Sequence, residues 1–217
     1  SGAGDYAQRL SRAGVGPEPT ALIGNVPSIL AARLAYFLNL KGPAVAVDTA
    51  CSSSLVAVHL ACESLRSGAC DLAVAGGVTV VSTPNLFAAL TKAGMISPTG
   101  RCRAFGAGAD GFVCGEGAGA VVLKPLATAV ADGDTIYGVI RASGFNQDGR
   151  TNGITAPSAP AQTDLLADVW RRAGVDPATI SYVEAHGTGT ELGDPIEVEA
   201  LSAAFRQFTP ARGFCRL

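Results

Sequence analysis

Cys51 and His186 are the two residues whose types and surroundings best suit covalent chemistry. Cys51 follows the run Val45-Ala46-Val47-Asp48-Thr49-Ala50, whose β-branched apolar residues predict a buried strand. After it, Ser53 to about Leu65 carries apolar residues all round and predicts a buried helix. A thiol at a helix start meets free backbone N–H groups and the positive end of the helix dipole. Both favour thiolate, the nucleophilic form. The same N–H groups could hold an oxyanion on a carbonyl that the sulfur attacks. A buried structural cysteine is the plainer alternative for such a residue.

His186 closes a predicted strand, Ile180 to Glu184, and sits within His186-Gly187-Thr188-Gly189-Thr190. Gly and Thr leave the imidazole unobstructed and supply hydroxyl and backbone donors, which suits an acid/base or hydrogen-bonding histidine. A structural loop histidine is the competing reading. The other histidine, His59, is eight residues past Cys51 on the same predicted helix. That is roughly 12 Å along the axis and about 80° round it, out of reach of the thiol. A Cys at a helix start and a His at a strand end together point to nucleophilic acyl or thioester chemistry. Cysteine proteases use the same pair, so the pair alone leaves the reaction open.

Around these residues the chain alternates strands and helices, which predicts an α/β architecture with helix-covered sheets. Helices are expected from Pro27 to Leu38, from Asn85 to Gly94, from Pro160 to Ala173 and from Pro195 to about Phe205, with Asp194 capping the last and Glu197 in its first turn. Asp5 to Leu10 adds one or two helical turns. Strands are expected over Asp71 to Val81, Gly117 to Leu123 and Ile136 to Ser143, the first with a Gly76-Gly77 pair that lets other backbone approach. Ser97 to Gly111 is a loop rich in Gly, Pro and charge, of the length that functional loops have, and Asn146 to Pro157 is another polar, Gly-containing loop.

Composition excludes several classes. The 217 residues are 48% hydrophobic, with 16 Lys plus Arg against 18 Asp plus Glu and a net charge of −2, so no basic stripe points to nucleic acid. The apolar stretch Leu72 to Leu90 is broken by Gly, Ser, Thr, Pro and Asn and does not read as a membrane span. Six cysteines without a C-x-x-C pair and only two histidines offer no zinc-ligand spacing, so no metal is expected; reduced thiols in a cytosol are the reading. The chain opens on Ser1 and closes on a segment resembling the start of another strand, Gly213 to Leu217, which reads as an internal piece of a longer polypeptide.

Several motifs are similar to those of ketosynthase (β-ketoacyl synthase) domains from modular type I polyketide synthases. They are Asp48-Thr49-Ala50-Cys51-Ser52-Ser53-Ser54, and Glu184 to Thr190 followed by Gly193-Asp194-Pro195. Between them lie Ser97 to Cys102, Ala109 to Phe112, Gly115-Glu116-Gly117 and Asp148 to Ile154, all in family order. The resemblance implies a thiolase-like α/β fold, a five-layered α-β-α-β-α sandwich of two similar halves. Residues 1–125 would be the later part of the N-terminal half and 126–217 the earlier part of the C-terminal half.

It also implies decarboxylative condensation. Cys51 would take an acyl group from the phosphopantetheine arm of an acyl carrier protein, and a malonyl-type extender on carrier protein would lose CO2 and attack that thioester. The backbone N–H of Cys51 would help form the oxyanion hole, and His186 would hydrogen-bond the extender's carbonyl. Thr188 and Thr190 would contact the pantetheine arm, while Glu116 would order its loop. No cofactor is expected to bind directly; partners would be acyl carrier protein, other polyketide synthase domains and a second copy of the chain. Gly106 and Cys114 depart from the Asp and the larger residue of relatives. The family's second active-site histidine and its lysine do not occur in this stretch, so the piece alone is not expected to complete a condensation. A non-elongating carrier-docking domain and a fatty-acid condensing enzyme are the alternatives.

Overall fold

A computed structural model of the chain describes residues 5–16 and 18–217. They form two compact units, one running to Leu86 with Gly115–Val139 added, the other Phe87–Cys114 with Ile140–Leu217.

The first unit opens with α1 (Asp5–Arg12), α2 (Pro19–Asn25) and α3 (Ser28–Phe37), then a 3-10 turn at Ala50–Ser52 that leads into α4 (Ser53–Arg66). Asp5 ties α1 to the chain further on, its carboxylate accepting from the N–H groups of Ser82 and Thr83 at 3.0 Å. Strand β1 (Ala73–Thr79) pairs antiparallel with β2 (Gly117–Leu123), from Ala73 opposite Leu123 to Thr79 opposite Gly117. Gly77 is where α4 lies on β1: a Cβ there would stand 2.9 Å from the Ser54 Cβ. The Gly pair thus permits the close approach that its sequence position suggests. Beyond β2, α6 (Leu126–Ala131) follows α5 (Asn85–Lys92) in chain order, and Lys124 bonds both Asp132 and Asp134. Those hydrogen bonds, to Asp132 first, hold its ammonium above the usual lysine range.

In the second unit α7 (Ala159–Ala173) packs on α8 (Gly193–Arg206). Small side chains make the approach possible: Ala167, Ala200 and Ala204 are buried, and Thr163 donates to the Ala200 carbonyl at 3.2 Å. Trp170 stacks on Phe205 with ring centroids 4.6 Å apart, and Phe205 meets Phe214 edge-on. Ser158 caps α7, and Gly174 ends it at φ +59, a left-handed position that a glycine fills without steric cost.

The structure corrects several expectations. Residues 45–48 and 136–143 pair in no ladder among the described residues, and Val45 is exposed rather than buried. In place of the strand expected over 180–184 there is a single parallel bridge, Tyr182 to Arg216, so the closing segment does lie strand-like beside it. α4 buries only Val56 and Cys62, and Leu55 is exposed. Asp194 is not the cap of α8: the helix starts one residue earlier, at Gly193, and the carboxylate turns to other partners. α2 and α6, both only about two turns long, were not foreseen. Among the described residues no single helix is long and apolar enough to cross a membrane.

Candidate functional site

Cys51 belongs to the first unit and His186 to the second, and each stands in its own backbone setting. Cys51 is exposed, in the middle of the 3-10 turn and two residues before α4. The chain reaches it through Ala50 at φ +56, a left-handed position that is costly for a residue with a β-carbon. Neighbouring side chains hold that bend. Asp48 accepts from the Ala50 N–H at 3.2 Å, and Ser53 accepts from the Thr49 N–H at 2.9 Å while donating to the Ala50 carbonyl at 2.7 Å. Ser52 donates to the Thr49 carbonyl at 3.0 Å. The Asp-Thr-Ala-Cys-Ser-Ser run therefore builds an elbow that projects the thiol at the start of a 14-residue helix. Backbone N–H groups of a first helical turn have no intrahelical acceptor and can face an oxyanion.

Glu116, expected to order a loop, does so: its carboxylate accepts from the Val81 N–H at 2.5 Å. His59 is half-buried on α4. An open crevice of about 480 Å3 in this unit, lined by Arg9, Arg12, Ser82, Thr83 and Pro84, does not include Cys51.

His186 is exposed and heads a loop whose backbone is held by α8. Glu197 accepts from the His186 N–H at 2.6 Å with one oxygen and from the Gly187 N–H at 2.9 Å with the other. Asp194, 4% exposed, accepts from the Gly189 N–H at 3.0 Å and from the Phe105 N–H at 2.6 Å. Both carboxylates lie in the first turns of α8, where the helix dipole favours negative charge. Thr188 and Thr190 face each other, hydroxyl to hydroxyl at 3.0 Å, and the Thr190 hydroxyl accepts from the Gly193 N–H at 3.0 Å. Upstream, the Tyr182 hydroxyl donates to Glu184, and that bond raises the phenol above its ordinary range.

The loop after α5 lies along the same turn. Cys102 donates its S–H toward the carbonyls of Thr188 at 3.5 Å and Gly187 at 3.7 Å, and the Gly111 N–H donates to Gly189 at 2.8 Å. Thus His186, Thr188 and Thr190 share one braced loop. Sequence reasoning placed Asp194 and Glu197 at the start of α8 but missed that they grip this loop. The signal available was their i, i+3 spacing, which puts both on one helix face.

Residues 1–129 match the family model described as beta-ketoacyl synthase, N-terminal domain, and residues 137–217 match beta-ketoacyl synthase, C-terminal domain. Polyketide synthase PksL of Bacillus subtilis is 57% identical over 194 residues, 89% of this chain and 4% of that protein. Polyketide synthase ThaG of Burkholderia thailandensis is 54% identical over 213 residues, 98% of this chain and 4% of the relative. Among solved structures, the ketosynthase from module 6 of the bacillaene synthase of Bacillus subtilis 168 superposes with a TM-score of 0.87 at 58% identity, covering 88% of this chain and 34% of its own. An oxazolomycin ketosynthase domain from Streptomyces albus gives 0.86 at 44% identity, again with 34% of its length covered. The chain thus spans a small part of its curated relatives and about a third of the solved domains. At these scores the thiolase-like α/β class expected from the motifs holds, with this chain carrying part of that fold.

Proposed function

Since the chain belongs to the beta-ketoacyl synthase family, we propose that it forms the central part of a polyketide synthase ketosynthase. Residues 1–125 are then the later part of its N-terminal half and 126–217 the earlier part of its C-terminal half. The observation that carries the chemistry is the elbow at Cys51: an exposed thiol, a left-handed residue before it and a long helix behind it.

In this reading the Cys51 thiolate attacks the thioester carbonyl of an acyl chain held on the phosphopantetheine of an acyl carrier protein. The oxyanion so formed is met by the Cys51 N–H, and collapse expels the pantetheine thiol. A malonyl-type extender on carrier protein then loses CO2. His186 donates to the extender's thioester carbonyl as enolate charge develops there, which is stabilisation aimed at the transition state. The enolate carbon attacks the Cys51 thioester, the cysteine thiolate leaves, and the product is a β-ketoacyl chain two carbons longer on the carrier. Thr188 and Thr190 present hydroxyls to the pantetheine arm. No bound cofactor takes part; the carrier proteins, neighbouring synthase domains and a second copy of the chain are the proposed partners, in a cytosolic setting. The intact, braced His186 loop favours elongation over a domain that only docks carriers.

The test is made on a complete ketosynthase domain carrying this sequence. Cys51→Ala should abolish the mass shift that acyl-thioester loading produces, whereas His186→Ala should retain loading and lose decarboxylative extension. Loading that persists in Cys51→Ala removes the nucleophile assignment, and unchanged extension in His186→Ala removes the histidine's role.

A further inference from the structure

Phe105 occupies a backbone conformation that its side chain makes unfavourable. Its φ is +57, in the left-handed region where a β-carbon crowds the backbone and glycine is the natural occupant. A phenylalanine there is held by its surroundings. Its N–H donates to the buried Asp194 at 2.6 Å, across 89 residues of sequence, and the other oxygen of Asp194 takes the Gly189 N–H. The ring reaches the adjoining residue of the same loop. A Cβ built on Gly187 would stand 3.1 Å from the Phe105 Cε2 and 3.3 Å from the Ala104 Cβ, so ring and methyl lie directly over the peptide that follows His186.

Three further approaches come from the same stretch. A Cβ on Gly189 would meet the Cys102 Sγ at 3.0 Å, the Gly111 carbonyl at 3.1 Å and the Arg103 nitrogen at 3.2 Å. Residues 102–111 are therefore laid on one side of the His186 loop, while Glu197 and Asp194 hold it from α8. With Gly187 at φ +51 and Gly189 at φ +67, that loop has little stiffness of its own.

We infer that Phe105 is a positioning residue for His186: its ring, pinned by the bond from its N–H to Asp194, packs against Gly187 and fixes the conformation of the His186–Thr190 loop. The inference rests on the proposed role of His186 and adds the group that sets its backbone. Since glycine suits the Phe105 conformation, Phe105→Gly removes the ring and relieves strain in one step, so a loss of fold is not the expected result.

The experiment uses the complete ketosynthase domain and three readouts: acyl loading on Cys51 by intact mass, CO2 release from malonyl carrier protein, and amide hydrogen exchange of the peptide spanning 184–190. Phe105→Gly should leave loading and melting temperature unchanged and raise exchange in that peptide. Its CO2 release should fall by about 10- to 100-fold, the scale of a misplaced catalytic geometry. Phe105→Tyr, which keeps the ring, should restore both exchange and CO2 release. Unchanged exchange in Phe105→Gly overturns the inference whatever His186 does, and so does a parallel loss of loading and CO2 release, which would mark general packing. Raised exchange with CO2 release unchanged in both Phe105→Gly and His186→Ala keeps Phe105 as the brace of the loop and instead removes the catalytic reading of His186.

Discussion

Asp194 is a carboxylate with 4% exposure that receives two backbone N–H groups, from Phe105 and Gly189, belonging to segments far apart in sequence. A carboxylate can do this because both of its oxygens accept; an amide has one acceptor and one donor. Asp194→Asn keeps size and shape but turns an NH2 toward one of those N–H groups, leaving a buried donor without an acceptor. That should lower stability by about 1–3 kcal/mol, read from the denaturant midpoint, with increased amide exchange at Gly189 or Phe105. A midpoint equal to that of the unsubstituted chain would mean water serves the orphaned group. Glu197 makes the same kind of two-oxygen contact with His186 and Gly187 but is half-buried, so its amide variant should cost less. The residues proposed to touch substrate were singled out in the sequence, Cys51 and His186 by residue type and setting, Thr188 and Thr190 through the family resemblance. The residues that hold them were not. Phe105 and Ala50 carry no local sign of a left-handed φ, since that conformation is imposed by contacts and not by residue type.

At the scale of elements the contact between α4 and β1 decides where Cys51 stands. Gly77 and Ser54 touch so closely that a methyl on Gly77 would lie 2.9 Å from the Ser54 Cβ, under the contact distance of two carbons. Gly77→Ala should push the first turn of α4, and with it the Cys51 elbow, off the strand. The expected cost is about 1–3 kcal/mol for overpacking, together with slower Cys51 acylation. Because the clash is with a β-carbon, Ser54→Gly in the same chain should recover acylation, whereas Ser54→Ala should not. A double-mutant cycle on loading rate measures this, and additivity of the two substitutions would disprove the contact. Legibility at this scale followed the range of the forces involved. α3, α4, α7 and α8 show apolar spacing and end signals within their own residues, as do β1 and β2 with their β-branched content. Residues 45–48, 136–143 and 180–184 have the same strand chemistry, yet a strand is completed by a partner's N–H and C=O groups, and composition does not say where that partner is. α2 and α6 are too short for a helical period to emerge.

For the molecule as a whole, surface area is the informative quantity. Among the described residues no large side chain is fully buried. Large apolar side chains stay exposed, grouped by element. On α3, Leu34 and Phe37 are 55% and 72% exposed, and on the face of the β1–β2 sheet that Val74 shares with its cross-strand partner, Val74, Val78 and Val122 are all exposed. An apolar helix and a sheet face of this kind are stable only when something covers them. The solved ketosynthases that this chain resembles are about three times as long as the part it covers. Residues 1–217 produced alone should therefore bind the dye ANS strongly and unfold with a shallow denaturant slope, since that slope scales with the surface newly exposed on unfolding. A chain extended to the length of those ketosynthases should lose most of the dye signal and steepen the transition. If residues 1–217 alone bind no dye and unfold steeply, α3 and the sheet face have found cover within the chain itself, and the exposed faces seen here do not persist in solution.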